Sequence, residues 1–373
     1  AAIPSGSRRW DRVEERFDLA RHPHEANRFG WVVEIDPFDP DFVPRKRTHL
    51  GRFKHEAANS TLARDGRAVI YLGDDERFDY IYKFVSAGRY RKGSRRQNLT
   101  LLDDGTLYVA KLTGDSPASE FDGTGKLPAD GDFAGTGTWI PLVSGNRSFV
   151  PGFTAAEVLI HTRPAADKAG ATKMDRPEDI ERNPKTGAVY VALTNNTSRT
   201  AAQADEANPR AANKHGHILE IVELRGDAGA TTFTWNVPLV CGDPGDPATY
   251  FAGFDKSQVS PISCPDNLAF DSDGNLWIST DGNALGTNDG LFAMPVEGRD
   301  RGHVRQFLTV PRAAETCGPL IIEDQKTVFV AVQHPGEVTG ASPDNPASHW
   351  PDGDQPRPSV VSVWHAQGKD IGS

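Results

Sequence analysis

The sequence predicts an all-β protein, most simply a β-propeller. Three observations lead there: a composition crowded with turn formers, a turn-then-strand unit that recurs along the chain, and the spacing of those units. Gly (36) and Pro (27) make up 63 of 373 residues, about 17% against a usual ~12%, which favours short strands and many turns over long helices. The unit itself is a tight turn followed by a β-branched and aromatic run. It reads Asp65-Gly66-Arg67-Ala68-Val69-Ile70-Tyr71-Leu72, then Asp104-Gly105-Thr106-Leu107-Tyr108-Val109, then Lys185-Thr186-Gly187-Ala188-Val189-Tyr190-Val191. It returns as Asp273-Gly274-Asn275-Leu276-Trp277-Ile278-Ser279 and, without the glycine, as Asp324-Gln325-Lys326-Thr327-Val328-Phe329-Val330. Asp-Gly pairs supply the positive φ of a hairpin turn, and the run behind enters a buried strand. Turns at 66, 105, 187, 274 and 325 lie 39, 82, 87 and 51 residues apart. Steps near 40 and twice 40 fit four-stranded blades, some eroded or expanded. A β-helix or a sandwich is the competing all-β reading.

Other elements follow in order. Thr154-Ala155-Ala156-Glu157-Val158-Leu159-Ile160 reads as a short helix, and the Ala-rich stretch around Ala201–Ala212 as another. Gly/Asp/Pro-rich segments at Gly114–Gly137, Gly242–Thr249 and Gly336–Pro358 read as long connections at blade ends, where propellers build their sites. No linker divides residues 1–373, so one domain is expected.

Composition also excludes function classes. With 41 Lys+Arg against 51 Asp+Glu the formal charge is −10, which argues against a nucleic-acid backbone binder. No apolar run approaches the ~20 residues of a membrane helix, so no membrane insertion is expected. The first residues, Ala1 to Arg9, carry no signal-peptide apolar region. Three cysteines exclude full internal pairing, although a Cys241–Cys264 bridge is one arrangement the count allows. They show no Cys-x-x-Cys spacing, and no Walker loop, His-Glu-x-x-His or Gly-x-Ser-x-Gly motif occurs.

The chemistry lies in the strand ends. Past the strand runs come Gly73-Asp74-Asp75-Glu76, Thr194-Asn195-Asn196-Thr197, Thr280-Asp281-Gly282-Asn283 and Gln333-His334-Pro335. Asp and Asn alone make turns, but the recurrence points to convergence around one axis. Leading into the units are Glu56, Glu178, Asp266 and Glu315, each some seven to ten residues before its turn, hence on corresponding innermost strands. Four converging acids would repel one another and raise their pKa values. Bound hard cations, which take six to eight oxygens, resolve that conflict. Arg176, two residues before Glu178, projects on the same face of an extended segment. It either grips phosphate bidentately or pairs with a neighbouring acid.

These segments resemble the PhoX-type alkaline phosphatases of bacteria. The resemblance rests on Arg28-Phe29-Gly30-Trp31-Val32-Val33-Glu34-Ile35-Asp36-Pro37, Gly51-Arg52-Phe53-Lys54-His55-Glu56 and Tyr71-Leu72-Gly73-Asp74-Asp75. It continues through Arg176-Pro177-Glu178-Asp179, Pro265-Asp266-Asn267-Leu268-Ala269-Phe270-Asp271 and Phe329-Val330-Ala331-Val332-Gln333-His334-Pro335-Gly336-Glu337. It implies a six-bladed propeller with iron and calcium in its central channel, hydrolysing small-molecule phosphomonoesters by attack of a metal-bound oxygen. It implies residence in the periplasm or secretion, after export in folded form by the twin-arginine route. Carried over by position, Glu56 and Glu178 would be ligands of the iron–calcium cluster and Asp75 a calcium ligand. Arg176 would bind phosphate and, with Glu178, be catalytic. Asp266, Asn196 and Glu315 would add metal contacts, and Asn267 would contact substrate. The family's upstream segment, of the type Cys-Gly-Gly…Thr-Pro-Trp-Gly-Thr-Trp…Glu-Glu, is absent here. The expectation is therefore a carboxy-terminal part of a longer propeller, one completed by a second chain, or a diverged member. The alternatives are a calcium-dependent propeller lactonase or esterase, and a non-catalytic calcium-binding propeller.

Overall fold

A computed structural model of the chain describes residues 8–282, 284–322 and 324–372. A small pair, β1 (Val33–Glu34) and β2 (Arg45–Lys46), precedes four larger antiparallel arrays. The first is β3 (Asn59–Leu62), β4 (Arg67–Gly73), β5 (Ile81–Arg89) and β6 (Gly105–Gly114), in sequence order, with a short helix α1 (Arg95–Asn98) between the last two. Then come β7 (Ala134–Ser144), its short partner β8 (Arg147–Ser148), and helices α2 (Ala155–Ile160) and α3 (Thr162–Ala169). The second array is β9 (Pro177–Arg182), β10 (Val189–Leu193), β11 (His217–Glu223) and β12 (Thr232–Val240), with β13 (Tyr250–Phe251) on its edge. The third is β14 (Pro265–Phe270), β15 (Leu276–Thr280), β16 (Gly290–Met294) and β17 (Arg305–Thr309). The fourth is β18 (Glu315–Ile321), β19 (Thr327–Gln333) and β20 (Ser359–Trp364). Strand β7 pairs with both β6 and β12, joining the outer edges of the first two arrays into one sheet.

Each array is a blade, and the blades stack face to face. Their first strands, β3, β9, β14 and β18, neighbour one another in turn. Apolar layers fill the spaces between. Tyr71, Val85, Ile180, Val191 and Leu219 belong to the layer shared by blades 1 and 2, and Tyr190, Ile218, Leu268, Ile278 and Phe292 to that of blades 2 and 3. Trp277, Leu291, Ile321 and Val328 join blades 3 and 4. The other face of blade 1 packs Tyr80, Tyr82 and Phe84 against Leu50, Phe53, Val158 and Ala165, so α2 and α3 cover it. Each large side chain so buried contributes about 1.5–3 kcal/mol.

The recurring units are strands, as expected, with one difference in how they are used. Gly66, Gly187 and Gly274 have φ of 85°, 77° and 84° and turn the first strand of a blade into the second. Gln325, at φ 56°, does so in blade 4. Gly105 does not turn. It sits within β6, where a Cβ would lie 2.4 Å from the Val85 carbonyl, so that unit is the fourth strand of blade 1 and not a new blade. Among the described residues the repeat therefore marks four blades, not five.

Thr154 caps α2 with a full capping box to Glu157. The Ala-rich stretch forms only a 3-10 turn, Ala201–Gln203. Its remainder is held by side chains, because Asn and Pro interrupt it. Cys241, Cys264 and Cys317 are all free thiols, so the Cys241–Cys264 bridge does not form. Among the described residues no helix is long and apolar enough to cross a membrane.

Candidate metal and phosphate site

The antiparallel hairpins bring the start of each first strand and the end of each second strand to one rim. Pro177 faces Leu193, Pro265 faces Thr280 and Glu315 faces Gln333, while His55 bridges Asp74 in blade 1. Glu178 and Asp266 are the second residues of β9 and β14, Glu315 opens β18, and Glu56 stands three residues before β3. Carboxylate oxygens of Glu56, Asp75 and Glu178 all lie within 4.8 Å of one another. Asp74 and Asp75 point opposite ways, as neighbours in extended chain do. Asp74 is fully buried and receives Arg163 Nε at 2.8 Å from α3, whereas Asp75 turns to the rim.

Arg176 links the group. Its Nε donates to Asp75 Oδ1 at 2.7 Å, and one Nη lies 2.8 Å from Glu178 Oε1. The second contact is an ion pair without hydrogen-bond alignment, so Glu178 Oε1 is buried with no donor. A half-buried arginine between two carboxylates is the ion-pair alternative that the sequence left open, and a five-donor guanidinium retains further N–H groups.

Crowding shows in the protonation of the acids. Burial, then the facing Asp266 and Asp75, push Glu178 far up from the usual carboxylate range, against the pull of Arg176. Burial also raises Asp266, with Asp281, Glu315 and Glu56 adding repulsion. Glu56 is raised by burial and by Asp75, and Asp281 reaches about 6 through burial and Glu315. Five predicted residues, Glu56, Asp75, Glu178, Asp266 and Glu315, thus share one electrostatic cluster with Arg176.

Two predicted residues have other partners. Asn196 Oδ1 accepts the Ser198 N–H and its backbone pairs with Asn213. Asn267 Oδ1 accepts the Gly318 N–H at 2.8 Å, tying blade 3 to blade 4. Neighbouring Asn283 lies outside the described residues.

Three side chains join the cluster that the motifs do not select as ligands. Asp281 stands just past β15, the counterpart of Asp75 past β4. His334, past β19, lies 3.1 Å from Glu315 Oε2, and its pKa is raised by that acid and Glu337 despite burial. Cys317 shares β18 with Glu315, and burial followed by Glu315 pushes its thiol up to about 12. The position past a second strand marks Asp281 and His334; no motif marks Cys317.

The backbone repeats with the acids. The residue two before each rim acid of blades 2, 3 and 4 is left-handed: Arg176 at φ 57°, Cys264 at 55° and Ala313 at 53°.

Blades fanned around a rim of converging carboxylates define a β-propeller with an axial cluster of acids that could hold a cation, and Arg176 pairs with two of those acids. More particularly, the chain belongs to the alkaline phosphatase PhoX family, whose model matches residues 4–336. Pseudomonas fluorescens PhoX, solved in complex with vanadate, a transition state analogue, is 40% identical to it with a TM-score of 0.82. That match covers 98% of this chain and 62% of the other, so the chain spans about three fifths of that relative's length. A Dyadobacter fermentans protein of unknown function aligns over 76% of each chain at 12% identity and a TM-score of 0.26, too low to bear on the fold. No curated protein matches the chain.

Proposed function

We propose that this chain carries the catalytic rim of a metal-dependent phosphomonoesterase acting on small phosphate esters. The observation that carries the reading is the convergence of Glu56, Asp75 and Glu178 within 4.8 Å around Arg176, in a family with a member solved in complex with vanadate, a transition state analogue. The donor set fits cations. An all-carboxylate group suits calcium, and the Cys317 thiol and His334 imidazole beside Glu315 add the softer donors that iron accepts. The buried Glu178 Oε1, in ionic contact with Arg176 but without a hydrogen-bond donor, keeps lone-pair capacity for a cation. Glu56, Asp75, Glu178, Asp266 and Glu315 would hold the metals, with Asn196 and Asn267 as further contacts to metal and substrate.

Calcium and iron, when bound, supply charge neutralisation for the phosphate and activation of water. The chain's own part is orientation. Arg176 offers its remaining N–H groups to non-bridging oxygens, where a preorganised donor stabilises charge as it develops. Burial of Glu178 and Asp266 keeps the cluster's field strong by excluding water. We place the enzyme in the periplasm or outside the cell, with folded export by the twin-arginine route. Further polypeptide, an added segment or a second chain, completes the propeller; the coverage of 62% supports this.

The test is elemental analysis of the native protein for iron and calcium, with p-nitrophenyl phosphate hydrolysis measured before and after EGTA. Both metals with chelator-sensitive turnover are expected. Calcium alone, with no turnover in the fully metallated protein, would replace the enzyme with a binding propeller.

A further inference from the structure

Arg176 holds its place against two local preferences. A left-handed φ costs a non-glycine residue about 1–3 kcal/mol, and Pro177 behind it disfavours anything but extended backbone. Such a conformation persists only where the surroundings over-determine it. The two ion pairs at the rim do not do this, since they restrain the end of a flexible side chain. The restraint lies behind, at Asp175.

Asp175 is wholly buried. Its Oδ1 accepts Arg199 Nε at 2.7 Å and its Oδ2 accepts Asn213 Nδ2 at 3.0 Å. Arg199, also buried, donates its other nitrogens to the carbonyls of Gln203 and Lys173 at 2.7 and 2.8 Å. Asn208 reaches the same Lys173 carbonyl. On the far side the Thr194 N–H donates to the Arg176 carbonyl at 3.2 Å. Arg199, Asn208 and Asn213 all come from one connection, residues 194–216, between β10 and β11. Hairpin loops usually need 2–5 residues, and this one uses 23.

The same connection grips the equivalent residue of blade 3. The Cys264 N–H donates to the His215 carbonyl at 2.8 Å, and His215 Nδ1 lies 3.0 Å from Ser263 Oγ. The Asp281 N–H meets the Cys264 carbonyl at 3.1 Å, as Thr194 meets that of Arg176. Two of the three left-handed residues ahead of rim acids, those of blades 2 and 3, are thus anchored from one loop.

We propose that the 194–216 connection is a positioning clamp, in which the buried Asp175–Arg199 pair sets the backbone of Arg176 and so aims its guanidinium at a bound phosphoryl group. Asp175 and Arg199, both buried and paired with each other, act through Arg176. The inference rests on reading Arg176 as the phosphate-binding residue.

The probe is inorganic phosphate, titrated calorimetrically into the metallated full protein, with KM and kcat for p-nitrophenyl phosphate measured alongside. Asp175→Asn alone strands a buried arginine and risks unfolding. The informative variants are therefore Asp175→Asn/Arg199→Met, which removes both charges, and Arg199→Lys, which keeps a counter-charge. The double variant should weaken phosphate binding by about tenfold or more, since misplacement by ~1 Å can cost a hundredfold. Metal content should be retained and amide exchange at Thr194 should quicken. Arg199→Lys should fall between this variant and the parent, and should report the same loss in smaller measure if the double variant does not fold. A folded, fully metallated double variant, or failing that Arg199→Lys, that binds phosphate as the parent does overturns the clamp. Arg176→Ala separates the two readings: if it too leaves phosphate affinity unchanged, the assignment of Arg176 falls. If it alone loses affinity, only the clamp falls.

Discussion

Gly73 marks the closest approach of blade 1 to the site-bearing strand of blade 2. A Cβ on it would lie 2.0 Å from the Glu178 carbonyl oxygen and 2.8 Å from that of Pro177. Its φ is not left-handed, so glycine is needed here for space and not for conformation. Gly73→Ala should push the Glu178 backbone outward at a cost of about 1–3 kcal/mol, the usual penalty of overpacking. It should also reduce the gain in melting temperature on adding calcium, because Glu178 moves relative to Asp75. Thermal unfolding with and without calcium checks both, and an unchanged calcium gain would detach Gly73 from the site. At this scale the sequence marks what a single strand can mark. Glu56, Glu178, Asp266 and Glu315 share a place before a turn, and they converge. Gly73 and Cys317 owe their importance to a neighbouring strand or blade, which no local pattern encodes. Asn196 and Asn267 each use Oδ1 locally, accepting the N–H of Ser198 and of Gly318, and the second lone pair of an amide oxygen stays available for a further contact.

Strands were legible and their grouping only partly so. A run such as Thr106-Leu107-Tyr108-Val109 looks the same whether it is the second strand of a blade or the fourth; only its partner, β5, decides. What joins blades is likewise a matter of long-range partners. Lys83 on β5 is fully buried and donates to Glu223 on β11 at 2.5 Å and to the carbonyls of Ala228 and Ala230. Tyr71 Oη and Trp139 Nε1 donate to the same carboxylate. Burial lowers the Lys83 pKa to about 8 although Glu223 raises it, so desolvation outweighs attraction even in a close pair. Lys83→Met should therefore destabilise by about 3–5 kcal/mol, by leaving Glu223 charged and buried. Lys83→Met/Glu223→Gln should recover most of that, since glutamine carries no charge, its Oε1 still accepts from Trp139, and its amide N–H can donate to the Tyr71 hydroxyl oxygen. Denaturant unfolding of the double-mutant cycle measures the coupling. A double variant as unstable as the single would mean that the lysine works through its carbonyl contacts instead.

For the whole molecule, the excess of carboxylates over cations, −10, is legible as composition, but its consequence depends on where the fold puts it. Four first strands beginning at one rim concentrate acids that are spread over some 260 residues of chain. Without cations, Glu56, Glu178 and Asp266 are raised by burial and mutual repulsion, and Asp281 to about 6. A carboxyl whose folded pKa exceeds its unfolded value binds more protons in the native state. Its contribution to stability is present at low pH and is lost as pH rises through the folded value. Protons and cations compete for the same oxygens. The stabilisation by calcium should therefore be small near about pH 5, where Asp281 and its neighbours are protonated, and larger near about pH 8, where the bare cluster repels itself. Half-buried His55 and buried His217, with pKa lowered to about 4 by desolvation, oppose this trend in total stability. They do not enter the difference made by the cation, because no rim acid pairs with them. The measurement is the calcium-induced shift in melting temperature at the two pH values, expected to grow by several degrees at the higher one. An equal shift at both would mean that calcium binds away from the rim, and that the convergence of the four blades has another purpose.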